Sequence, residues 1–238
     1  APSGVTRSSP CLAAHTGRWN GVTAGDFDGD GRQDIAVLMA QGKETFTVLF
    51  NEGGGRFSEL PAIEQPPVWG YAGFQLLDFD GDGHKDVLTV NGDNGEYPSC
   101  LKAYHGVRLY LNRGRDGFKQ TFFYPINGAF SAVAKDFDLD GDLDIACAAY
   151  FPDYIGSPEE SFVYLENLGG MRFRPRSFPE AQLGRWLVMA VGDIDGDGDA
   201  DIVLGAANRT PYGAPKELYA RWEREGPSIL ILKNRAHH

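Results

Sequence analysis

Four copies of one acidic motif limit the possible folds of this chain more than any other feature. The motif is Asp-x-Asp-x-Asp-Gly-x-x-Asp, and its copies begin at Asp26, Asp78, Asp136 and Asp193. Such a nearly constant interval, just over 50 residues, is typical of a repeat architecture in which each copy marks one structural unit. Apolar segments flank every copy, so each unit is predicted to contain a strand, an acidic turn and a second strand.

The acidic residues are concentrated in these motifs, which indicates bound cations. The formal net charge is −11, and 18 of the 33 Asp and Glu residues lie in the four motifs. Carboxylates at positions 1, 3 and 5 and a carbonyl at position 7 resemble the start of an EF-hand loop, and oxygen ligands favour calcium over zinc or copper. A metal-free Asx-rich turn is the alternative for any single copy. The predicted ligands of up to four Ca²⁺ are Asp26, Asp28, Asp30, Arg32 and Asp34; Asp78, Asp80, Asp82, His84 and Asp86; Asp136, Asp138, Asp140, Asp142 and Asp144; and Asp193, Asp195, Asp197, Asp199 and Asp201.

One copy departs from the others at position 4. Leu139 stands in the third motif where the other three copies have glycine. Because glycine favours the sharp turn of such loops, we expect the third site to bind calcium more weakly.

The segments around the motifs predict an all-β chain. A third apolar segment follows in every repeat, and the first three repeats add a glycine turn and a short strand led by an aromatic residue. Helical periodicity is absent. Four-stranded antiparallel repeats in series predict β-propeller blades. We place them at about 17–66, 67–125, 126–182 and 183–234 of a single domain spanning residues 1–238.

The two ends of the chain suggest how the ring closes. The last repeat stops after its third strand, while residues 1–16 precede the first blade. We expect residues 1–16 to supply the outer strand of the last blade, with residues 236–238 as a remnant of a tag. The alternative is that the chain is a fragment of a larger propeller.

The four motifs with their flanking strands resemble the FG-GAP / VCBS repeat family, which includes the β-propeller of integrin α subunits and certain fungal lectins. The resemblance covers roughly residues 17–234. It implies that calcium ties the first strand of each blade to the second. It also implies a secreted, periplasmic or cell-surface location. It does not select a function, because the family spans adhesion, sugar binding and some lyases.

Long insertions between the second and third strands predict where a ligand binds. In a propeller they share one rim with the links between blades, opposite the calcium loops, and loops on a rigid scaffold are common binding sites. The links add Trp69, Tyr71, Tyr124 and Asn127. Aromatic rings near hydrogen-bonding groups suit a carbohydrate or an extracellular protein partner. The candidate contacts are Tyr97, Tyr104, His105, Tyr154, Arg209, Tyr212 and Trp222.

Several classes of function are disfavoured. The negative charge is unsuited to nucleic acid, and no apolar run is long enough for direct membrane insertion. Nucleophile elbows, phosphate loops and zinc-type spacings are absent from the sequence. Binding is therefore favoured over catalysis, with a polysaccharide lyase or hydrolase on the same rim as the alternative. Cys147 is expected to be a buried thiol, and Cys11 and Cys100 can pair if the fold brings them together.

Overall fold

The computed structural model describes residues 18–40, 44–93, 100–208 and 214–236, which form four antiparallel β-sheets. The first three sheets each contain four consecutive strands, β1–β4, β5–β8 and β9–β12, and the fourth contains β13–β15. The strands are β1 (Arg18–Gly25), β2 (Asp34–Ala40), β3 (Glu44–Gly53), β4 (Arg56–Gln65), β5 (Tyr71–Leu77), β6 (Asp86–Asn91), β7 (Gly106–Asn112), β8 (Phe118–Pro125), β9 (Ala129–Lys135), β10 (Asp144–Ala149), β11 (Phe162–Asn167), β12 (Phe173–Arg176), β13 (Trp186–Gly192), β14 (Asp201–Ala206) and β15 (Ile229–Leu232).

Strand pairing places every acidic motif at the turn between the first two strands of its sheet. Gly25 pairs with Asp34 in the first sheet, and Gly192 pairs with Asp201 in the fourth. Position 9 of each motif therefore opens the second strand. The predicted fold class, an all-β propeller of antiparallel blades, is confirmed. The predicted closing strand at residues 1–16 lies outside the described residues, and so do residues 237 and 238 of the predicted tag.

Apolar side chains fill the junctions between consecutive sheets. Three clusters join the first sheet to the second, the second to the third and the third to the fourth. Burying one large apolar side chain contributes about 1.5–3 kcal/mol, so these junctions hold neighbouring blades together. Representative members of the clusters are Phe46, Tyr71 and Tyr110; Leu109, Ile145 and Val163; and Phe162, Trp186 and Leu204.

The structure places the two described cysteines differently. Cys147 is fully buried in β10, as predicted, and this burial raises the pKa of its thiol. Cys100 is exposed. Its pairing with Cys11 stays the open possibility stated above, because Cys11 lies outside the described residues.

The outward face of the fourth sheet differs from the corresponding faces of the other sheets. Ala146 and Ala148 in the third sheet are fully buried because the fourth sheet packs on them. On the equivalent face of the fourth sheet, Ile229 is 62% exposed and Val188 is 59% exposed. Ile194 of the fourth motif is 49% exposed, whereas its counterpart Phe27 is buried. This face is open to solvent, and closure of the ring stays a prediction.

One α-helix, α1 (Lys216–Glu225), lies in the insertion between β14 and β15. Trp222 is buried on it, and its indole N–H donates a hydrogen bond to the Gln182 carbonyl at 2.9 Å. The expectation of no helix was wrong here, because Leu218, Tyr219 and Trp222 follow helical spacing and lie on the less exposed face of this helix. Among the described residues, no helix combines the length and apolar character needed to cross a membrane.

Candidate metal loops and ligand-binding rim

Carboxylate oxygens converge in each of the four acidic loops, residues 26–34, 78–86, 136–144 and 193–201. Each loop brings three such oxygens within 4.8 Å of one another. In the first three loops they come from positions 1, 3 and 9, and in the fourth from positions 1, 3 and 5. The grouped residues are Asp26, Asp28 and Asp34; Asp78, Asp80 and Asp86; Asp136, Asp138 and Asp144; and Asp193, Asp195 and Asp197.

The other predicted ligands shape the loop backbone. Asp30 lies outside the group and accepts a hydrogen bond from the Arg32 N–H at 2.8 Å. Asp82 and Asp140 do the same for the N–H groups of His84 and Asp142, at 2.8 and 2.9 Å. Position 7 therefore contributes an N–H to the turn. The predicted role of its carbonyl as a metal ligand, including that of Asp199, stays a prediction.

The last aspartate of each loop is fully buried and accepts two backbone N–H groups. In the first loop, Asp34 accepts hydrogen bonds from Phe27 at 2.9 Å and from Asn51 at 2.8 Å. Asp86, Asp144 and Asp201 make the same pair of contacts at 2.8–3.1 Å. Burial raises the pKa of Asp34, although the two N–H groups oppose this shift, and the same holds for Asp86 and Asp144. These carboxylates tie each loop to the end of the third strand.

Four asparagines at the ends of the third strands complete this arrangement. The Asn112 side-chain amide donates to the Lys85 carbonyl at 3.1 Å and to the Phe27 carbonyl, in the preceding sheet, at 2.9 Å. Asn234 likewise donates to the Phe137 carbonyl in the third loop. The sequence shows Asn51, Asn112, Asn167 and Asn234 at equivalent places. Asn112 and Asn234 link neighbouring sheets, whereas Asn51 and Asn167 donate to the Gln33 and Leu143 carbonyls of their own sheets. This role was not predicted from the sequence.

The donor set of the loops fits a hard divalent cation. All converging atoms are carboxylate oxygens, the ligands that calcium prefers. Asp78 Oδ1 and Asp136 Oδ1 are buried without a hydrogen-bond partner in the protein. A buried polar atom without a partner carries a desolvation cost, and a bound cation would remove it. These Asp-rich groups can therefore hold a metal ion.

The third loop keeps the shape of its counterparts despite Leu139. Leu139 has a φ of +64°, close to the +78° and +74° of Gly29 and Gly81 at the same position. A non-glycine residue in this left-handed region costs about 1–2 kcal/mol. Because the loop already adopts this conformation, the strain at Leu139 lowers the stability of the fold and not the affinity of the loop for a cation. The expected weaker binding at this loop stays untested.

Trp69 and Tyr104 form a stacked aromatic pair on the rim opposite the acidic loops. Their ring centroids are 5.6 Å apart with an interplanar angle of 18°, and both side chains are half-buried. The guanidinium of buried Arg108 lies 4.1 Å from the Trp69 centroid and 3.9 Å from the Phe123 centroid. It also donates to the Tyr104 carbonyl at 2.7 Å. Arg108 therefore fixes the position of the pair.

The structure divides the four described ligand-contact candidates into two separate groups. Tyr104 lies beside His105, with ring centroids 5.3 Å apart, and Tyr154 lies beside Trp222 at 5.5 Å. His105 and Trp222 are buried, so neither presents its ring to a ligand at this surface. Burial lowers the pKa of His105 to about 4. Tyr97, Arg209 and Tyr212 lie outside the described residues.

Tyr154 is half-buried and contributes mainly to the packing of its own loop. Its hydroxyl donates to the Tyr150 carbonyl at 2.7 Å, and the Arg185 Nε–H donates to the same carbonyl at 3.0 Å. The Arg185 guanidinium lies 3.7 Å from the Tyr150 ring centroid. The two aromatic groups of the rim are thus each anchored by a buried arginine.

Comparison with known proteins gives matches to family models, to a curated relative and to a solved structure. A family model described as an FG-GAP-like repeat matches residues 26–89, and one described as an FG-GAP repeat matches residues 186–216. Integrin alpha-V of Gallus gallus is 27% identical over 208 residues, and the match covers 78% of this chain but 19% of the integrin. A solved Agrocybe aegerita lectin, which specifically recognises non-reducing terminal N-acetylglucosamine, has 16% identity and a TM-score of 0.44, with 90% of this chain and 57% of the lectin chain covered.

The fold and the four acidic loops define a propeller-type repeat protein with loops that can hold cations. The chain spans about a fifth of the length of the integrin that it matches. The two family matches show that the chain contains repeats of the FG-GAP type.

Proposed function

We propose that this chain is an extracellular binding module: a β-propeller stabilised by calcium in its four acidic loops, with a carbohydrate or protein ligand bound on the opposite rim. The acidic loops form one rim, and the half-buried Trp69–Tyr104 pair lies on the other. This pair is the observation on which the proposed ligand site rests. The integrin relative supports an extracellular or surface location.

Two observations support calcium as the stabilising ion. The first is the convergence of three carboxylates in each loop. The second is the pair of buried oxygens of Asp78 and Asp136 that lack protein partners. Extracellular calcium reaches concentrations that suit loops of modest affinity. With four divalent cations bound, most of the formal charge of −11 would be neutralised, and the repulsion within each loop would fall.

The aromatic pair is suited to ligand binding because its geometry is fixed before the ligand arrives. Arg108 packs on the Trp69 ring and binds the Tyr104 backbone, and the two rings stack on each other, so little side-chain freedom is lost on binding. Val68, next to Trp69 in the sequence, is 51% exposed, and Leu101, three residues before Tyr104, is 60% exposed, so apolar side chains near the pair are accessible to a ligand. A catalytic alternative has little support, because the His105 side chain is buried and does not reach the surface where a substrate would bind.

We expect Tyr104→Ala to weaken ligand binding by at least about tenfold, as is typical when a central aromatic contact is truncated. Binding is measured by tryptophan fluorescence against a broad glycan panel with the calcium-loaded protein. Ile155→Ala is the matched control, because Ile155 is 87% exposed on the same rim outside the pair. Equal loss in both variants would contradict this site. If the wild type binds no glycan of the panel, the ligand is expected to be a protein. If a glycan is converted to a product, the protein is an enzyme.

A further inference from the structure

The four acidic loops differ in whether a positively charged side chain of the protein contacts their carboxylates. Arg115, in the turn between β7 and β8, donates from Nε to Asp28 of the first loop at 2.8 Å. It also reaches Glu52 at 2.8 Å, and its guanidinium lies 4.9 Å from the Phe50 ring centroid. A residue of the second sheet thus contacts a carboxylate that belongs to the candidate metal group of the first.

The fourth loop has a similar contact from its own sheet. Lys233, directly after β15, donates from Nζ to Asp195 at 3.0 Å. Asp28 and Asp195 occupy the same place, position 3, in their motifs, and both belong to the converging carboxylate groups. Within the described ranges, no lysine or arginine pairs with Asp80 or Asp138, the position-3 residues of the second and third loops.

The repeat relation explains why the loops differ. Arg115 is the third residue after Asn112, and the same place after Asn167 in the third sheet is Gly170, which has no side chain to reach the second loop. Lys233 directly precedes Asn234, and the residues directly before the other three asparagines are Phe50, Leu111 and Glu166, none of them cationic. The two contacts are therefore specific additions to a common framework.

We propose that Arg115 and Lys233 lower the affinity of the first and fourth loops for calcium, so that the second and third loops fill first. For the third loop this replaces the weaker binding expected from Leu139, because the loop already has the required backbone conformation and the cost of Leu139 is a cost of folding. This inference rests on the proposed calcium binding. The charge of the ligands is a main determinant of affinity in oxygen-ligand calcium sites. A cationic side chain on one carboxylate offsets part of that charge and competes with the metal for the same oxygens. The first loop is affected most, because Arg32 also pairs with Asp30 there.

The test is a calcium titration by isothermal calorimetry on protein freed of metal with a chelator and then dialysed. The wild type is expected to show two tighter and two weaker sites. Arg115→Met and Lys233→Met should each tighten one weak site by about fivefold, the upper range for exposed ion pairs. The difference between the two classes should shrink in 1 M NaCl, because salt screens exposed charges.

Two matched variants control for loss of positive charge alone. The variants are Arg113→Met and Arg235→Met. Arg113 lies in the same turn as Arg115, and Arg235 lies two residues from Lys233. Neither arginine has a carboxylate partner among the described residues, so neither change should alter the affinities. This inference alone would be overturned if the wild type had four equivalent sites. It would also be overturned if Arg115→Met and Lys233→Met were folded by circular dichroism and their weak sites were unchanged. Absence of any calcium binding would overturn the proposed calcium function as well.

Discussion

Removal of divalent cations is expected to lower the melting temperature of this protein by about 15 °C or more. A cation that binds only the folded state stabilises it by about 2.7 kcal/mol at 100 times its dissociation constant. Four carboxylate groups offer four such sites. For a chain of this length, 1 kcal/mol corresponds to about 2–4 °C. Calorimetric melting in calcium and in excess EDTA measures the effect.

Readdition of calcium to the EDTA-treated protein controls for irreversible damage and should restore the melting temperature. Magnesium should restore less, because it requires six close ligands in strict octahedral geometry. An unchanged melting curve, in protein shown by elemental analysis to be free of metal, would refute the stabilising role of the acidic loops.

The second large effect is expected at the buried aspartates of position 9. Asp34→Ala and Asp201→Ala should each lower the free energy of unfolding by about 2–5 kcal/mol, as estimated from two buried or part-buried backbone N–H groups left without acceptors. Both carboxylates are fully buried and accept two backbone N–H groups. Chemical denaturation in calcium measures the change, and Tyr104→Ala should be much milder. The reverse order would refute the division into a structural rim and a binding rim.

A second comparison separates the hydrogen-bonding role of these aspartates from metal binding. Asp80 belongs to a converging carboxylate group but is exposed, so Asp80→Ala should destabilise the protein mainly when calcium is present. Asp34→Ala should destabilise it in calcium and in EDTA alike, because the Phe27 and Asn51 N–H groups lose their acceptor in both conditions. Equal behaviour of the two variants would show that Asp34 acts only through the metal.

Much of the fold could be predicted because the repeat fixes both strand order and strand position. The apolar segments after the motifs, such as Ile35–Met39, coincide with the second strands, and the aromatic residues Phe57, Phe118 and Phe173 lie in the fourth. Local sequence patterns are enough to predict these strands, because in an antiparallel meander each strand pairs with the next strand along the chain. Helix α1 carries a local signal in the helical spacing of Leu218, Tyr219 and Trp222, but the stripe is short, and its packing partner Gln182 lies forty residues away.

The rim was less predictable than the loops for a physical reason. The acidic loops are closed by contacts within nine residues and with the third strand of the same sheet. The exposure of an aromatic residue in a long insertion depends on distant residues, as when Arg108 anchors Trp69. Sequence alone therefore could not distinguish Tyr104, which is half-buried, from His105 and Trp222, which are buried.

The most direct test of this account is a crystal structure of the protein grown in millimolar calcium, with anomalous diffraction to locate the ions. We predict one calcium peak in each acidic loop, between the carboxylates of Asp26, Asp28 and Asp34 in the first and their counterparts in the others. The Trp69–Tyr104 pair should lie on the opposite rim. Loops of the same shape without anomalous peaks at this calcium concentration would contradict the account.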